Sequence, residues 1–475
     1  MTREYANLIV GQEEAGSGWL DIRSPYSGEK VGAVALADAA LTGRAIDKMA
    51  AGRVRLSRHE RYRILNAMSQ RLSAEIDEVS RLISLESGLS LQDTTYEVGR
   101  ACDVLMFSAI QSLQDDSQVF PCDVSPSAKP RRIYTTRHPL RLVCAITPFN
   151  HPLNQVVHKV APAIAAGAPI LLKPSQLTPL SAHYIARLAY DCGLPPEMLS
   201  VINCESAAVA ESMITNPLVE MVTFTGSTAV GKRIAGVAAY KRIVLEMGGS
   251  SAMLVLEDAD PEKAAELAAA GIFKNSGQRC TAIRRLLVHE SLADRFAESL
   301  AHKAEQLRFG NPMDPATQMG TVISEKAAMA IEQSVEQSIA EGARLIAGHT
   351  REGALYAPTV LDNVSNETTI ARHETFGPVA PIIRFQNLNE AIEIANDTEF
   401  GLSGAVVSDH WPSIQRVISD LETGTVNVNE IPGFRLECSP FGGIKSSGLG
   451  YKEGVIEAAK SMTYIKTYSL PWDRP

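Results

Sequence analysis

From about residue 140 the chain alternates between two hydrophobic rhythms. Short runs of near-continuous apolar, often β-branched residues occur at 141–147 (RLVCAIT), 169–173 (PILLK), 199–203 (LSVIN), 220–226 (EMVTFTG) and 241–246 (KRIVLE). Between them lie stretches with apolar positions three and four apart, at Asn154 to Ala166, Ser181 to Asp191 and Val230 to Ala239. Runs with both faces apolar predict strands buried on both sides, and strands alternating with amphipathic helices predict a parallel, twisted sheet. After Gly248 and Gly249 a second series begins, with strands AMLVLE, RRLLVHE, PVAPIIRF, SGAVVS and GTVNVN. Its helices are expected at Pro261 to Lys274, Ser291 to Leu307, Glu325 to Glu341 and Leu388 to Asn396. The first hundred residues read as largely helical, at Ser57 to Glu86 and from Leu91 to Ser112. The polar, β-leaning segments 119–138 and 461–475 belong to neither series, and such strands seek a partner edge. They are expected to form an oligomerisation flap or a simple surface hairpin. The fold expected is therefore α/β, two doubly wound domains with a small β flap. One domain spans 1–118 and 139–247 and the other 248–445.

Composition narrows the class. With 475 residues the chain is too long for one core. Its 45% hydrophobic and 21% charged residues are ordinary for a globular protein. A net charge of −9 argues against nucleic acid as a partner. The seven cysteines are scattered and odd in number, with no CxxC pair, so no metal or disulfide framework is expected and a reducing cytoplasm suits them. The longest apolar stretch, Val160 to Leu172, is broken by Pro162, Gly167 and Pro169, which argues against a membrane span.

Several residues carry candidate chemistry, and each has a plainer reading. Cys280 follows Arg279, and a neighbouring guanidinium favours the nucleophilic thiolate, yet a lone cysteine is most often a small buried hydrophobe. Gly226 to Gly231 (GSTAVG) joins a strand to a helix and suits an anion, although many such turns look alike and no GxGxxG occurs. Lys173 ends a strand where ligands bind in open α/β sheets, or is simply solvated. Asn150 could donate to an oxyanion or form a turn before His-Pro. Glu246 ends a strand before two glycines and is either a general base or a capping acid.

Taken together, the segments TPFNHPL, LLKPSQLTPLSA, FTGSTAVGK, LEMGGSSAMLVLEDAD, GQRCTA, HETFGPV, NDTEFGLSGAV and PFGGIKSSGLG resemble, in order, those of the aldehyde dehydrogenase superfamily. The resemblance runs from RSPYSGE at Arg23 to the C-terminus. It implies a cofactor-binding domain and a catalytic domain, while the homodimer or homotetramer expected rests only on the two strand-like flap segments. It also implies Cys280 as nucleophile, Asn150 as oxyanion donor and Glu246 as the base that hydrolyses a thioester with water. Cofactor contacts carried over are Lys173, Ser175, Gln176, Gly226, Ser227, Gly231, Glu374 and Phe376. Where many NAD-using relatives read KPxE this chain reads KPSQ, and neutral Gln176 weakens the bias against a 2′-phosphate. NAD is the expected cofactor, with NADP tolerated.

The substrate end is distinctive. His151, Arg279, Arg435 and Arg100 fall where the family surrounds its substrate, and planar guanidiniums suit an anionic tail. Each has an alternative: Arg279 as a thiol activator, Arg100 in a structural ion pair, Arg435 as a solvated loop residue, His151 as a turn cap. The combination NHP, GQRC and PGFRxExxPFGG is most similar to members acting on phosphonoacetaldehyde. Glyceraldehyde 3-phosphate comes next, then sulfoacetaldehyde, succinic semialdehyde and lactaldehyde. A non-catalytic protein on this fold is the reading from another class, and it is disfavoured because Cys280, Glu246 and Asn150 are all retained.

Overall fold

The computed structural model describes residues 3–450 and 453–472. Tyr451, Lys452 and 473–475, the last three residues of the expected flap, lie outside them. Two seven-stranded sheets form the body. The first has the order Arg242–Glu246, Met221–Thr225, Val143–Ile146, Ile170–Lys173, Leu199–Val201, Asn7–Ile9, Gln12–Glu14. Its first five strands are parallel and the last two join antiparallel. The parallel part begins at Val143–Ile146, winds outward through Ile170–Lys173 and Leu199–Val201, then returns to the other side of the starting strand. That reversal makes the sheet doubly wound and creates a switch point between Val143–Ile146 and Met221–Thr225.

The alternation of buried side chains explains the layers. Val143, Ala145, Ile170 and Leu172 pack into one core, while Leu142, Cys144, Ile146 and Leu171 pack into another on the opposite face. The second sheet runs Arg344–Ala347, Thr359–Asp362, Val379–Phe385, Ile283–His289, Ser251–Val255, Ser403–Val407, Thr425–Val428, parallel except for its first pair. Its faces divide in the same way, with Leu254 and Leu287 on one side and Met253, Val255 and Leu286 on the other. The chain crosses from one sheet to the other between Glu246 and Ser251. No described helix is long and apolar enough to cross a membrane.

Two expectations need correction. Residues 3–36 are not helical but hold five short strands. Three of these strands form a small sheet of their own and two extend the first large sheet. Their alternation is short and interrupted by turns, which hides it from a reading tuned to long runs. The helix expected at 57–86 is two helices, Arg58–Ala74 and Ile76–Ser87, broken at Glu75. The two orphan segments find each other: Thr463–Pro471 pairs antiparallel with Arg131–Pro139 over nine residues, and Val119–Pro121 completes a three-stranded sheet.

Candidate active site

Register sets the floor of the site. Ile146 lies opposite Lys173 and Thr225 opposite Glu246, so the segments carrying Asn150, Lys173, Gly226 and Glu246 leave one end of the first sheet together. Ser251 then starts a strand in the second sheet beside Ile283, three residues after Cys280. The C-terminal edge of one sheet therefore meets the N-terminal edge of the other at Glu246 and Cys280. The two glycines after Glu246 allow this approach. A Cβ on Gly248 would collide with the Glu374 carboxylate, and one on Gly249 with the Cys280 carbonyl oxygen.

The cysteine loop is conformationally unusual. Asn275, Ser276 and Gly277 have φ of 61°, 53° and 69°, three left-handed residues in succession. For non-glycine residues this costs roughly 1–2 kcal/mol each. Many bonds hold it. The Asn275 amide donates to the carbonyls of Asn150 (3.0 Å) and Gln278 (3.3 Å), and Ser276 Oγ donates to Gly320 O (3.1 Å). Fully buried Arg284 donates to the carbonyls of Gly277 (2.5 Å), Arg279 (3.2 Å) and Gly377 (2.9 Å). Asn150 Nδ2 donates to Gln278 O at 2.8 Å, which ties the amide expected at the oxyanion directly to the cysteine loop.

The electrostatics revise the first reading of Cys280. Burial pushes its thiol up to about 11; Arg435 pulls it down most, Glu246 and Glu374 push it up, and Arg279 is the weakest of these influences. Adjacency to Arg279 does not make it a resting thiolate. The Arg279 side chain instead donates to the carbonyls of Gly271 (2.7 Å) and Ala270 (3.3 Å) at the end of the helix Pro261–Phe273. Buried Glu246 and half-buried Glu374 lie near the same point; desolvation raises the Glu374 pKa, and its Oε1 accepts from Gly249 N at 3.0 Å.

A narrow cavity of about 100 Å³ brings Arg100, His151, Arg279 and Arg435 together, and adds Lys274, Tyr96 and Asp93. Burial, reinforced by Arg100, Arg279, Arg435 and Lys274, drives the His151 pKa well below its ordinary value. His151 is thus a neutral hydrogen-bonding group and not a fourth cation. Arg100 pairs with buried Glu437, whose other oxygen lies 2.6 Å from His158 Nε2. Arg435 stacks 3.9 Å above the Phe441 ring. Lys274 Nζ sits 3.2 Å from the Tyr96 ring centroid, and burial lowers its pKa to about 8.

On the other side of the cysteine loop the expected cofactor residues spread along the sheet edge. Lys173 is half-buried, with Nζ 3.4 Å from Pro174 O; Ser175 Oγ accepts from Leu177 N, and Gln176 is exposed. Ser227 is exposed and precedes the helix Thr228–Val237, to which its side chain gives no capping bond. Backbone N–H groups at that N-terminus lie at the switch point, as a pyrophosphate requires, so the segment fits a dinucleotide. Gly231 has a second reason to lack a side chain, since a Cβ there would strike Met247 Sδ. Phe376 meets Phe149 edge-on at 5.8 Å, next to Asn150.

The chain matches the model of the aldehyde dehydrogenase family over residues 12–468. It is 34% identical to a 3-sulfolactaldehyde dehydrogenase of Priestia aryabhattai, covering 97% of both chains. It is 36% identical to a sulfoacetaldehyde dehydrogenase of Neptuniibacter caesariensis, covering 86% of this chain and 89% of the other. Among solved structures, glyceraldehyde-3-phosphate dehydrogenase from Methanocaldococcus jannaschii complexed with NADP superposes with a TM-score of 0.90 at 34% identity, over 95% of this chain and 99% of that one. The chain belongs to the aldehyde dehydrogenase family.

In this aldehyde dehydrogenase, the cavity beside the cysteine loop and its surroundings hold residues that the motifs did not reveal. Lys274 sits in FKNSGQRC, six residues before Cys280, where a lysine after an apolar helix reads as solvated. Asp93, Glu97 and Arg284 are buried and hold loops of the site. The signal that could have found them was charge inside an apolar pattern: Asp93, Glu97 and Arg100 recur at i, i+4 and i+7 on the helix Leu91–Leu113, alongside buried Val98 and Ala101.

Proposed function

We propose that this enzyme oxidises a short aldehyde with an anionic tail, phosphonoacetaldehyde first among the candidates, to the corresponding acid with NAD or NADP. The observation that carries the reading is the convergence of Arg100, Arg279, Arg435 and Lys274 on one narrow cavity beside the Cys280 loop. A cavity of about 100 Å³ admits only a small tail. Relatives named for sulfolactaldehyde and sulfoacetaldehyde support an anion at that position.

In this reading Cys280 Sγ attacks the aldehyde carbon, and its proton passes to solvent, directly or by way of Glu246, which is left ionised. Asn150 Nδ2 and the Cys280 backbone N–H donate to the oxyanion that forms, a contribution of about two to three powers of ten in rate. Arg279 and Arg435 hold the anionic tail, and neutral His151 donates to it. The bound nicotinamide, seated along Lys173, Ser175, Gln176, Gly226, Ser227, Gly231, Glu374 and Phe376, supplies the acceptor for hydride. Glu246 then takes a proton from water as the water attacks the thioester, the free acid leaves and the Cys280 thiol is restored. The first sheet carries the cofactor and the second the nucleophile. The flap sheet joins copies into a homodimer or homotetramer, a role supported by exposed Tyr464, Ile465, Tyr468 and Leu470.

The test is a panel of phosphonoacetaldehyde, sulfoacetaldehyde, glyceraldehyde 3-phosphate, succinic semialdehyde and propionaldehyde, each with NAD and NADP, compared by kcat/KM. An anionic aldehyde is expected to exceed propionaldehyde by about a hundredfold, the value of one or two charge-assisted hydrogen bonds. A preference for propionaldehyde overturns the reading.

A further inference from the structure

The helix Leu91–Leu113 touches three separate loops of the site with three side chains from one face. Asp93 Oδ2 accepts from Asn275 N at 3.0 Å, in the cysteine loop. Glu97 Oε1 accepts from both Leu153 N and Asn154 N at 2.9 Å, just after Asn150 and His151. Arg100 pairs with Glu437, two residues past Arg435. One helix face thus ties together loops that are distant in sequence.

The bonds made by Glu97 answer a specific need. The helix Asn154–Ala166 begins after Leu153, which has no polar atom to cap it, and no side chain of its own segment satisfies the first N–H groups. Glu97 caps that helix from outside while itself fully buried. Glu86, in the preceding helix, does the same for Leu180 N (2.7 Å) and Ser181 N (3.0 Å), behind the loop of Lys173 and Gln176. Burial pushes the Glu97 pKa up to about 8 and that of Glu86 to about 7, and the bonds from the helix N–H groups oppose it, so an uncapped helix and a buried acid stabilise each other only in one geometry.

We propose that Asp93 and Glu97 are positioning residues: they fix the Cys280 loop and the Asn150 loop to one rigid helix, and so set the distance between nucleophile and oxyanion donor. This rests on the roles given to Cys280 and Asn150, and it does not depend on the anionic tail. Glu97→Met keeps the length and removes both accepted bonds; Glu97→Gln keeps an accepting oxygen. With Glu97→Met, kcat is expected to fall ten- to a hundredfold for propionaldehyde and for an anionic aldehyde alike, as a misplacement of about 1 Å costs. KM and the rate of Cys280 alkylation by iodoacetamide should stay within about threefold, because Glu97 does not touch the cysteine loop. Glu97→Gln should recover most of the lost kcat. Asp93→Ala should change the alkylation rate at least about fivefold, and Asp93→Asn restore it. Wild-type kcat in Glu97→Met, or parallel loss of kcat and alkylation in both disrupted variants, overturns the proposal. If Glu97→Met does not fold, hydrogen exchange on the unaltered enzyme decides. The amides of Leu153, Asn154 and Asn275 must be protected, and free exchange at them overturns it too. An enzyme with no preference for anionic aldehydes would refute the substrate reading and leave these outcomes unaffected.

Discussion

The cavity beside Arg279 and the sheet edge running from Lys173 to Ser227 flank the same cysteine loop but are built by different means. In the cavity, side chains converge in a space of about 100 Å³: Arg100 fixed by Glu437, Arg435 stacked on Phe441, Lys274 over Tyr96. Along the sheet edge, the groups on offer are the backbone N–H groups of one helix N-terminus and exposed or half-buried side chains such as Gln176 and Ser227. Each of these cavity residues is held by a partner, and moving one disturbs the next. A backbone cradle tolerates side-chain change so long as the turn survives. Substrate choice should therefore respond steeply to single substitutions, and cofactor choice shallowly.

The loop shared by both sides should be indispensable to either. Cys280→Ala is expected to remove oxidation of anionic and neutral aldehydes alike, by on the order of four or more powers of ten. The intact thiol should be slow at rest. With a pKa of about 11, its alkylation by iodoacetamide should rise about tenfold per pH unit from about pH 7 to pH 10, because the thiolate alone attacks. A rate already level at about pH 8 would show that the guanidiniums around it, Arg435 foremost, do activate the sulfur.

The next effect isolates the cavity. Arg279→Ala should lower kcat/KM for phosphonoacetaldehyde about a hundredfold and for propionaldehyde less than about threefold, one lost charge-assisted bond being worth roughly 1.5–3 kcal/mol. It also frees the carbonyls of Ala270 and Gly271, so the melting temperature should fall. Equal losses on both aldehydes would reduce Arg279 to a helix-end clamp.

Lys274 gives the cavity a pH dependence of its own. Burial lowers its pKa to about 8, so the ammonium is present below that pH and is lost as pH rises through it. Binding of ethanesulfonate, whose charge is constant over this range, should weaken about tenfold between about pH 7 and 9 when read as a competitive inhibition constant, roughly the loss of one partly screened charge pair. Lys274→Gln should bind at the weaker level throughout and show no slope. A slope surviving in that variant would assign the titration to another group.

How far the sequence disclosed this follows the same division. The parallel strands of both sheets could be read because runs such as VCAI and ILLK are buried on both faces and leave no other assignment. Asn150 and Glu246 could be singled out because each follows or ends such a strand, Cys280 because it is a thiol beside Arg279, and all three because their segments resemble the family's in order. What could not be read were relations between side chains far apart in the chain. Nothing around FKNSGQRC says that the Lys274 ammonium lies over Tyr96, nor does the composition of Leu91–Leu113 say that its acids reach Asn275 and Asn154. His151 and Arg279 show the same limit from the other side. Their places were anticipated, but the charge of one and the bonds of the other depend on burial that no local pattern carries.

The smallest expected effect tests the sheet edge. Gln176 is exposed, three residues after Lys173, and carries no charge to oppose a 2′-phosphate. Gln176→Glu should shift the ratio of kcat/KM values for NAD and NADP toward NAD by about five- to tenfold at low ionic strength, roughly 1 kcal/mol for a charge pair in a watery setting. Because the pair is exposed, salt should erase most of that shift: at about 1 M the screening length is near 3 Å. A shift that persists in high salt would mean that the introduced carboxylate acts by shape or by a direct bond to the ribose, which would make the cofactor side as strict as the cavity. No shift at low salt would mean that the 2′ position lies beyond the reach of residue 176. The cofactor side would then be set by backbone alone, and the contrast between the two flanks of Cys280 would be sharper still.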